Sequence, residues 1–155
     1  MADYKLTNGG VIRNLDGAII PNDINNSDWK GYLAWVDLGN TPDPQFTLSQ
    51  AQAICKAKAL NDYRSEMESP IVFGADEIDL TQKGRAKILN AVSSKKSTLK
   101  AQKSNGRSKT YSKSELEDLI DAIDNRDDGL LDDLDLTFDA IEAAMTLEEL
   151  APYMP

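Results

Sequence analysis

The stretch "LLDDLDLTFDAIEAAM", residues 130–145, carries the strongest helical pattern in this chain and favours a mainly helical fold. Its apolar residues recur at steps of three and four positions, and acidic residues fill most of the positions between them. Such spacing places one apolar face along an amphipathic helix. The residues of this face are Leu131, Leu134, Phe138, Ile141 and Met145.

The segment upstream, "SELEDLIDAID" at residues 114–124, predicts another helix of the same kind. Ser112 or Ser114 can cap its start. Between the two helices lies "NRDDG", residues 125–129, a polar segment that ends in glycine. We expect these five residues to form a solvated acidic turn that separates the helices.

Two further helices are predicted in the middle of the chain. Thr47 or Ser49 can cap a helix that runs to about Met67, and Thr81 can cap a third helix. The segment between them, "SPIVFGADEIDL" at 69–80, predicts one small β-hairpin near 71–80.

The remaining segments have weaker patterns. Residues 3–21 fit either a small β-meander or an extended arm that docks elsewhere, because Asn8-Gly9 and Asp16-Gly17 suit tight turns. Residues 93–113 are basic and polar, so we expect a frayed helix end, a loop and a short strand at Thr110-Tyr111.

An aromatic helix is predicted from "DWKGYLAWVDLGNTPDPQF", residues 28–46. Asn26, Ser27 or Asp28 can cap it, and Gly39 can end it. The prolines that follow predict a linker over residues 40–46. A helix this short must pack on its own chain or on another chain. The sequence leaves both alternatives open for its large apolar residues, which are candidates for docking a partner. They are Trp29, Tyr32, Leu33, Trp35 and Val36.

The composition argues against catalysis. The chain has 155 residues, no histidine and one cysteine, Cys55, so histidine-based nucleophilic and metal chemistry is excluded. We expect a non-enzymatic protein without a cofactor. The sequence contains no run of about 20 apolar residues that a membrane helix needs. The N-terminus lacks the pattern of a signal peptide, so we expect synthesis in the cytoplasm.

The net charge of −9 is unevenly distributed. Residues 51–111 carry twelve Lys/Arg and six Asp/Glu, whereas residues 112–155 carry two and fourteen. This asymmetry indicates charge complementarity within the chain or between chains. The basic run from Lys83 to Lys109 lacks the interleaved aromatic residues of a nucleic-acid groove, so we expect no nucleic-acid partner.

A calcium site is disfavoured by the residues that would form it. Asp124, Asp128 and Asp132 have the spacing of an EF-hand loop, but a cation, Arg126, occupies the third position. The last position is Asp135 rather than the bidentate glutamate. We therefore expect no metal site.

Two parts of the chain carry a resemblance. "VIRNLDGAIIPNDINNSDWKGYLAWVDLGNTPDP", residues 11–44, resembles a segment found in small proteins encoded among the tail, tail-fibre and baseplate genes of tailed bacteriophages. The remainder is similar to an uncharacterised phage domain, through its hairpin ahead of a Thr-capped helix and its closing Ile-x-Ala-Ala-x-Thr-x-Glu-Glu-Leu. The family has no established catalytic residues, so the resemblance implies a context and no active site.

We expect an α+β, mainly helical protein. An extended arm and the aromatic helix (1–39) would form a docking module, joined by the linker (40–46) to a helical domain (47–155) with one hairpin. The resemblance implies a virion component that connects or decorates tail fibre and baseplate through contacts with other tail proteins; self-association stays open. The alternative is a tail-fibre assembly chaperone that leaves before the virion is complete. Such chaperones usually close with Trp/Tyr-rich strands, which this sequence lacks.

Overall fold

The computed structural model describes residues 2–93, 98–103 and 108–155, and the chain divides into two compact units, Met1–Ala51 and Gln52–Pro155. The α+β, mainly helical class is confirmed. The helices are α1 (Ser27–Asp37), α2 (Leu48–Glu68), α3 (Gln82–Ser93), α4 (Lys113–Ala143) and α5 (Leu147–Leu150), followed by a 3-10 turn at Ala151–Tyr153. The strands are β1 (Tyr4–Thr7), β2 (Gly10–Arg13), β3 (Ala18–Pro21), β4 (Ile71–Phe73), β5 (Asp76–Ile78), β6 (Thr98–Gln102) and β7 (Ser108–Ser112). No helix within the described ranges is both long and apolar enough to cross a membrane.

The N-terminal unit is a three-stranded antiparallel meander that carries α1. The strands lie in the order β1-β2-β3, and Val11 lies opposite both Leu6 and Ile20. Gly9 and Gly17 take positive φ angles of 101° and 72° at the two turns, which glycine adopts without steric cost. The meander, rather than the extended arm, is therefore the structure of residues 3–21.

The limits of α1 follow from local chemistry. The side chain of Asn26 accepts hydrogen bonds from the backbone N–H groups of Asp28 and Trp29, as expected of an N-cap. Gly39 follows the helix with a φ of 88° and donates its N–H to the carbonyl of Val36.

The segment predicted as a linker is hydrogen-bonded to the sheet of its own unit. Asp43 forms a parallel bridge with Lys5, and its backbone exchanges hydrogen bonds with Tyr4 and Leu6 at 2.8 and 2.9 Å. The two units divide a few residues later, after Ala51.

The C-terminal unit contains one more hairpin than the sequence predicted. The predicted hairpin is present as β4 and β5, which pair from Ile71↔Ile78 to Phe73↔Asp76. The strands β6 and β7 form a second antiparallel hairpin, in which Thr98 lies opposite Ser112. A bridge between Ile78 and Lys103 joins the two hairpins. Parts of the predicted frayed end and loop, residues 94–97 and 104–107, lie outside the described residues.

The core of the C-terminal unit forms where α3 and the first half of α4 meet the hairpins. Its buried side chains include Ile78 at the end of β5, Leu80 just after it, Ile88 on α3, Tyr111 on β7, and Leu116 and Leu119 on α4.

The predicted break between the last two helices is wrong, because α4 continues through residues 125–129. Nothing in "NRDDG" forbids a helix: it contains no proline, and Gly129 costs roughly 1 kcal/mol relative to alanine. Tertiary contacts offset this cost. The guanidinium of Arg126 donates to the carbonyl oxygens of Ser69 and Met67 at 2.9 and 3.0 Å, and Asp127 pairs with Arg85 on α3.

Candidate functional site

The aromatic cluster of the N-terminal unit is formed by Tyr4, Trp29, Tyr32 and Trp35. Tyr32 is at its centre: its ring centroid lies 4.9 Å from that of Trp29, 5.2 Å from Tyr4 and 6.3 Å from Trp35. Tyr4 also meets Trp35 edge-to-face at 5.1 Å. Tilted and edge-to-face contacts at these distances are favourable beyond the area that they bury.

The cluster packs on the inner face of the meander. Tyr32 is buried with Val11 and Ile20, while the other four predicted docking residues, Trp29, Leu33, Trp35 and Val36, are only partly buried against this core. The structure thus brings all five predicted residues to one core. It places Tyr32 inside the core and the other four around it.

Tyr4 is the member of the cluster that the sequence pattern did not predict. It reaches the cluster from β1, on the same sheet face as Leu6. The alternation of Tyr4 and Leu6 along the strand could have indicated this, because residues two apart share one face. The indole Nε1 of Trp35 donates to Oδ2 of Asp3, next to Tyr4, at 2.9 Å.

Arg13 connects the meander to the start of α1. Its guanidinium donates to Asp16 at 2.8 Å and to Asp28 at 3.1 Å. These hydrogen bonds, the one to Asp16 most strongly, raise the pKa of Arg13, and the bond from Arg13 lowers the pKa of Asp16. Asp28 lies in the first turn of α1, where its negative charge also interacts favourably with the positive end of the helix dipole.

The surface of the N-terminal unit exposes large aliphatic side chains outside the cluster. Leu15, Ile19, Ile24 and Leu38 are between 64% and 91% exposed. All four belong to residues 11–44, the segment that contains α1, β3 and all but the first residue of β2.

The C-terminal unit contains an ionic cluster of Asp76, Lys103, Lys109 and Tyr111, residue types that also occur in catalytic sites. Lys103 and Lys109 both pair with Asp76, and their hydrogen bonds, that of Lys103 first, lower the pKa of Asp76 to about 2. The hydroxyl of Tyr111 donates to the same carboxylate at 3.2 Å, and desolvation raises the pKa of Tyr111 to about 12. These pKa values keep Asp76 charged and Tyr111 protonated at neutral pH, so neither group is poised for acid–base catalysis.

A second ionic cluster holds Asp127 between Arg85 and Arg126. Desolvation opposes ionisation, but the hydrogen bonds and charges of Arg85 and Arg126 together lower the pKa of Asp127. Both arginines also donate to the carbonyl of Met67 near the end of α2. The cluster therefore ties three helices together.

The described residues contain no group of three or more acidic, cysteine or histidine side chains that could hold a metal ion. The aspartates with calcium-loop spacing lie along one continuous helix, α4, rather than in a loop. Comparison with protein-family models, with curated proteins and with solved structures gives no match for this chain.

Proposed function

We propose that this protein is a non-enzymatic structural component of a bacteriophage tail, located in the virion, that connects or decorates the tail fibre and the baseplate through protein–protein contacts. The observation behind the proposal concerns residues 11–44, the segment that resembles phage tail-region proteins. Its characteristic residues build a folded module. Gly17 makes a turn, Asn26 caps α1, Tyr32 fills the core and Gly39 follows the helix.

The N-terminal unit leaves apolar side chains exposed on its surface. The partly buried residues Trp29 and Trp35 lie on the aromatic cluster, and the same unit exposes Leu15, Ile19 and Leu38. Exposed apolar surface and large aromatic side chains are typical of protein interfaces. We infer that the N-terminal unit docks on another tail protein through its exposed aliphatic side chains. Ile19 lies next to buried Ile20 on β3, so it is on the face of the meander opposite to the aromatic cluster.

The electrostatics of the described residues support a non-catalytic function. The two ionic clusters, around Asp76 and around Asp127, pair their carboxylates with cations and lower the pKa of both. A general acid or base needs a pKa close to the working pH. These clusters are suited to holding strands and helices together.

Mass spectrometry of purified virions, from the phage that encodes this chain, tests the proposal. We expect the protein at a defined copy number relative to the fibre and baseplate proteins. Presence in infected lysate together with absence from virions would contradict it and would favour the assembly chaperone.

Aspartate substitutions of exposed apolar residues in the two units test whether the surface of the N-terminal unit is needed for incorporation into virions. Ile19→Asp and Leu38→Asp place a charge on the exposed apolar surface of the N-terminal unit, and we expect both to reduce incorporation into virions. The matched control is Val72→Asp, because Val72 is similarly exposed, at 72%, on the C-terminal unit. Equal incorporation of all three variants would show that the N-terminal surface does not dock.

A further inference from the structure

A groove between α2 and α4 lies within the C-terminal unit, far along the chain from the aromatic cluster. Its volume is about 240 Å³. Its apolar lining includes Ala59 and Tyr63 from α2 and Leu130, Leu134 and Thr137 from α4, which we call its floor; Tyr153 of the 3-10 turn also lines it. We name it the α2–α4 groove.

The groove is present because the two helices lack a closed core along this stretch. Leu116, Leu119 and Ile123 in the first half of α4 are buried, but Leu130 and Leu134 are only half-buried. On α2, Cys55 is buried, whereas Ala59 and Tyr63 are half-buried. Along the groove, the apolar side chains of both helices are therefore not fully covered by other parts of the chain.

The rim of the groove is acidic. Asp62 and Glu66 lie on the α2 side and Asp133 on the α4 side. Lys58 also lines the rim, but Asp62 pairs with it at 2.7 Å. Asp133 is exposed, and it is in none of the ion pairs within the described part of the chain, so a carboxylate without a paired cation lies beside the apolar floor.

The helical walls of the groove favour a helical ligand over an extended strand. Helical walls have their backbone N–H and C=O groups paired internally, so an extended strand finds no edge with which to pair. From Cys55 to Glu66 the groove follows α2 for about 16 Å, or roughly three helical turns. Its volume lies below the roughly 300–1,000 Å³ typical of small-molecule sites. These dimensions suit a few side chains from one face of a docked helix.

The acidic rim of the groove favours a ligand with basic side chains. An acidic rim repels nucleic acid and anionic membranes, and it attracts a helix flanked by lysine or arginine. We propose that the α2–α4 groove binds a basic amphipathic helix of a partner chain, whose apolar residues enter the groove and whose cations pair with Glu66 and Asp133. This proposal does not depend on the phage-tail assignment.

Fluorescence anisotropy with the full-length protein tests the proposal. The probe is a labelled synthetic peptide of about 18 residues, five helical turns, with leucine at i, i+3, i+4 and i+7 and lysine elsewhere. Two reference peptides have the same leucines with glutamate in place of lysine, or the same composition in scrambled order. We expect the basic amphipathic peptide to bind at least about tenfold more tightly than either reference, which corresponds to about 1.4 kcal/mol.

Two pairs of variants locate the binding site. Ala59→Trp fills the floor, and its control Ala57→Trp adds the same side chain at an exposed position of α2. Asp133→Lys reverses a rim charge, and its control Asp132→Lys makes the same change at an exposed position beside it. We expect Ala59→Trp and Asp133→Lys each to weaken binding by about tenfold, and the controls to change it by less than about twofold.

Three outcomes overturn the proposal. The first is equal binding of the three peptides, and the second is an equal effect of each variant and its control. The third is a sedimentation experiment in which the protein is a dimer that Ala59→Trp converts to a monomer, because a second copy would then occupy the groove. If Ala59→Trp lowers the thermal stability, the exposed pair Asp133→Lys and Asp132→Lys decides the result.

Discussion

The hydroxyl of Tyr111 on β7 donates a hydrogen bond to Oδ2 of Asp76 on β5 over 3.2 Å. Tyr111 is fully buried and Asp76 is 8% exposed, so the bond lies in the core where the two hairpins meet. The same carboxylate pairs with Lys103 and Lys109, which come from the second hairpin. The β6–β7 hairpin is thus joined to β5 by the contacts of Tyr111, Lys103 and Lys109 with one carboxylate, that of Asp76.

Removing the Tyr111 hydroxyl should destabilise the protein. Tyr111→Phe keeps the ring in the core and loses the hydrogen bond to Asp76, which we expect to cost about 1 kcal/mol of the free energy of unfolding. Urea unfolding followed by circular dichroism measures this. Tyr63→Phe is the control, because no described residue bonds the Tyr63 hydroxyl. Equal stability of wild type and Tyr111→Phe would show that the bond contributes nothing.

The stability contributed by Asp76 should depend on pH. Its pKa is about 2 in the folded protein and about 3.9 in an unfolded chain, so its stabilising effect is complete above about pH 4 and declines as the pH falls through 2. We expect Asp76→Asn to be less stable than wild type at pH 7, with the difference shrinking between pH 4 and pH 2. Unfolding experiments across this range measure it, with Asp118→Asn as an exposed control. A difference independent of pH would mean that the carboxylate charge is not involved.

A substitution at Gly129 tests the continuity of α4. An added Cβ at Gly129 meets no atom within 4 Å, and its φ angle is not positive, so alanine fits the helix there. We expect Gly129→Ala to stabilise the protein by about 0.5–1 kcal/mol, measured by thermal unfolding. Gly74→Ala should destabilise it, since Gly74 has a φ of 62° in a turn. Destabilisation by both variants would indicate a break in the helix at Gly129.

Arg126 should contribute to the attachment of α4 to α2. Arg126→Met keeps an apolar stem but loses the hydrogen bonds to the carbonyls of Met67 and Ser69. We expect a loss of about 1–3 kcal/mol in the free energy of unfolding. Lys113→Met, which removes an exposed ion pair on the same helix, should cost less than about 1 kcal/mol. Similar losses for the two variants would contradict a special role for Arg126.

Tyr4 should stabilise the aromatic cluster. Tyr4→Ala removes its contacts with Tyr32 and Trp35, and we expect a loss of roughly 1–3 kcal/mol in the stability of the N-terminal unit. Tryptophan fluorescence during urea unfolding reports on this unit, because Trp29 and Trp35 are both in the cluster. Leu15→Ala, at a position that is 91% exposed, should leave the transition unchanged. An unchanged transition in Tyr4→Ala would place Tyr4 outside the cooperative core.

The elements with strong local signals were predicted closely. Asn26 caps α1, the side chain of Thr47 accepts from the N–H of Gln50 in the first turn of α2, and Thr81 accepts from Gly84 at the start of α3. The turn of the β4–β5 hairpin forms at Gly74, where the sequence placed it. These features depend on residues within a few positions of one another, so they can be read from the chain without knowledge of its tertiary contacts.

The mainly helical class and three of the four clustered aromatic residues, Trp29, Tyr32 and Trp35, could be predicted from sequence alone. The predicted apolar face of residues 130–145 is only partly buried: Ile141 is in the core, whereas Leu131 and Met145 are 46% and 79% exposed.

Two features depend on tertiary contacts: the continuity of α4 through "NRDDG" and the pairing of β6 with β7. In the first case Arg126 and Asp127 contact residues more than 40 positions away, and in the second Tyr111 bonds Asp76 across 35 positions. Local propensity leaves a polar segment free to form a turn, a strand or a helix, and such distant contacts select one of them.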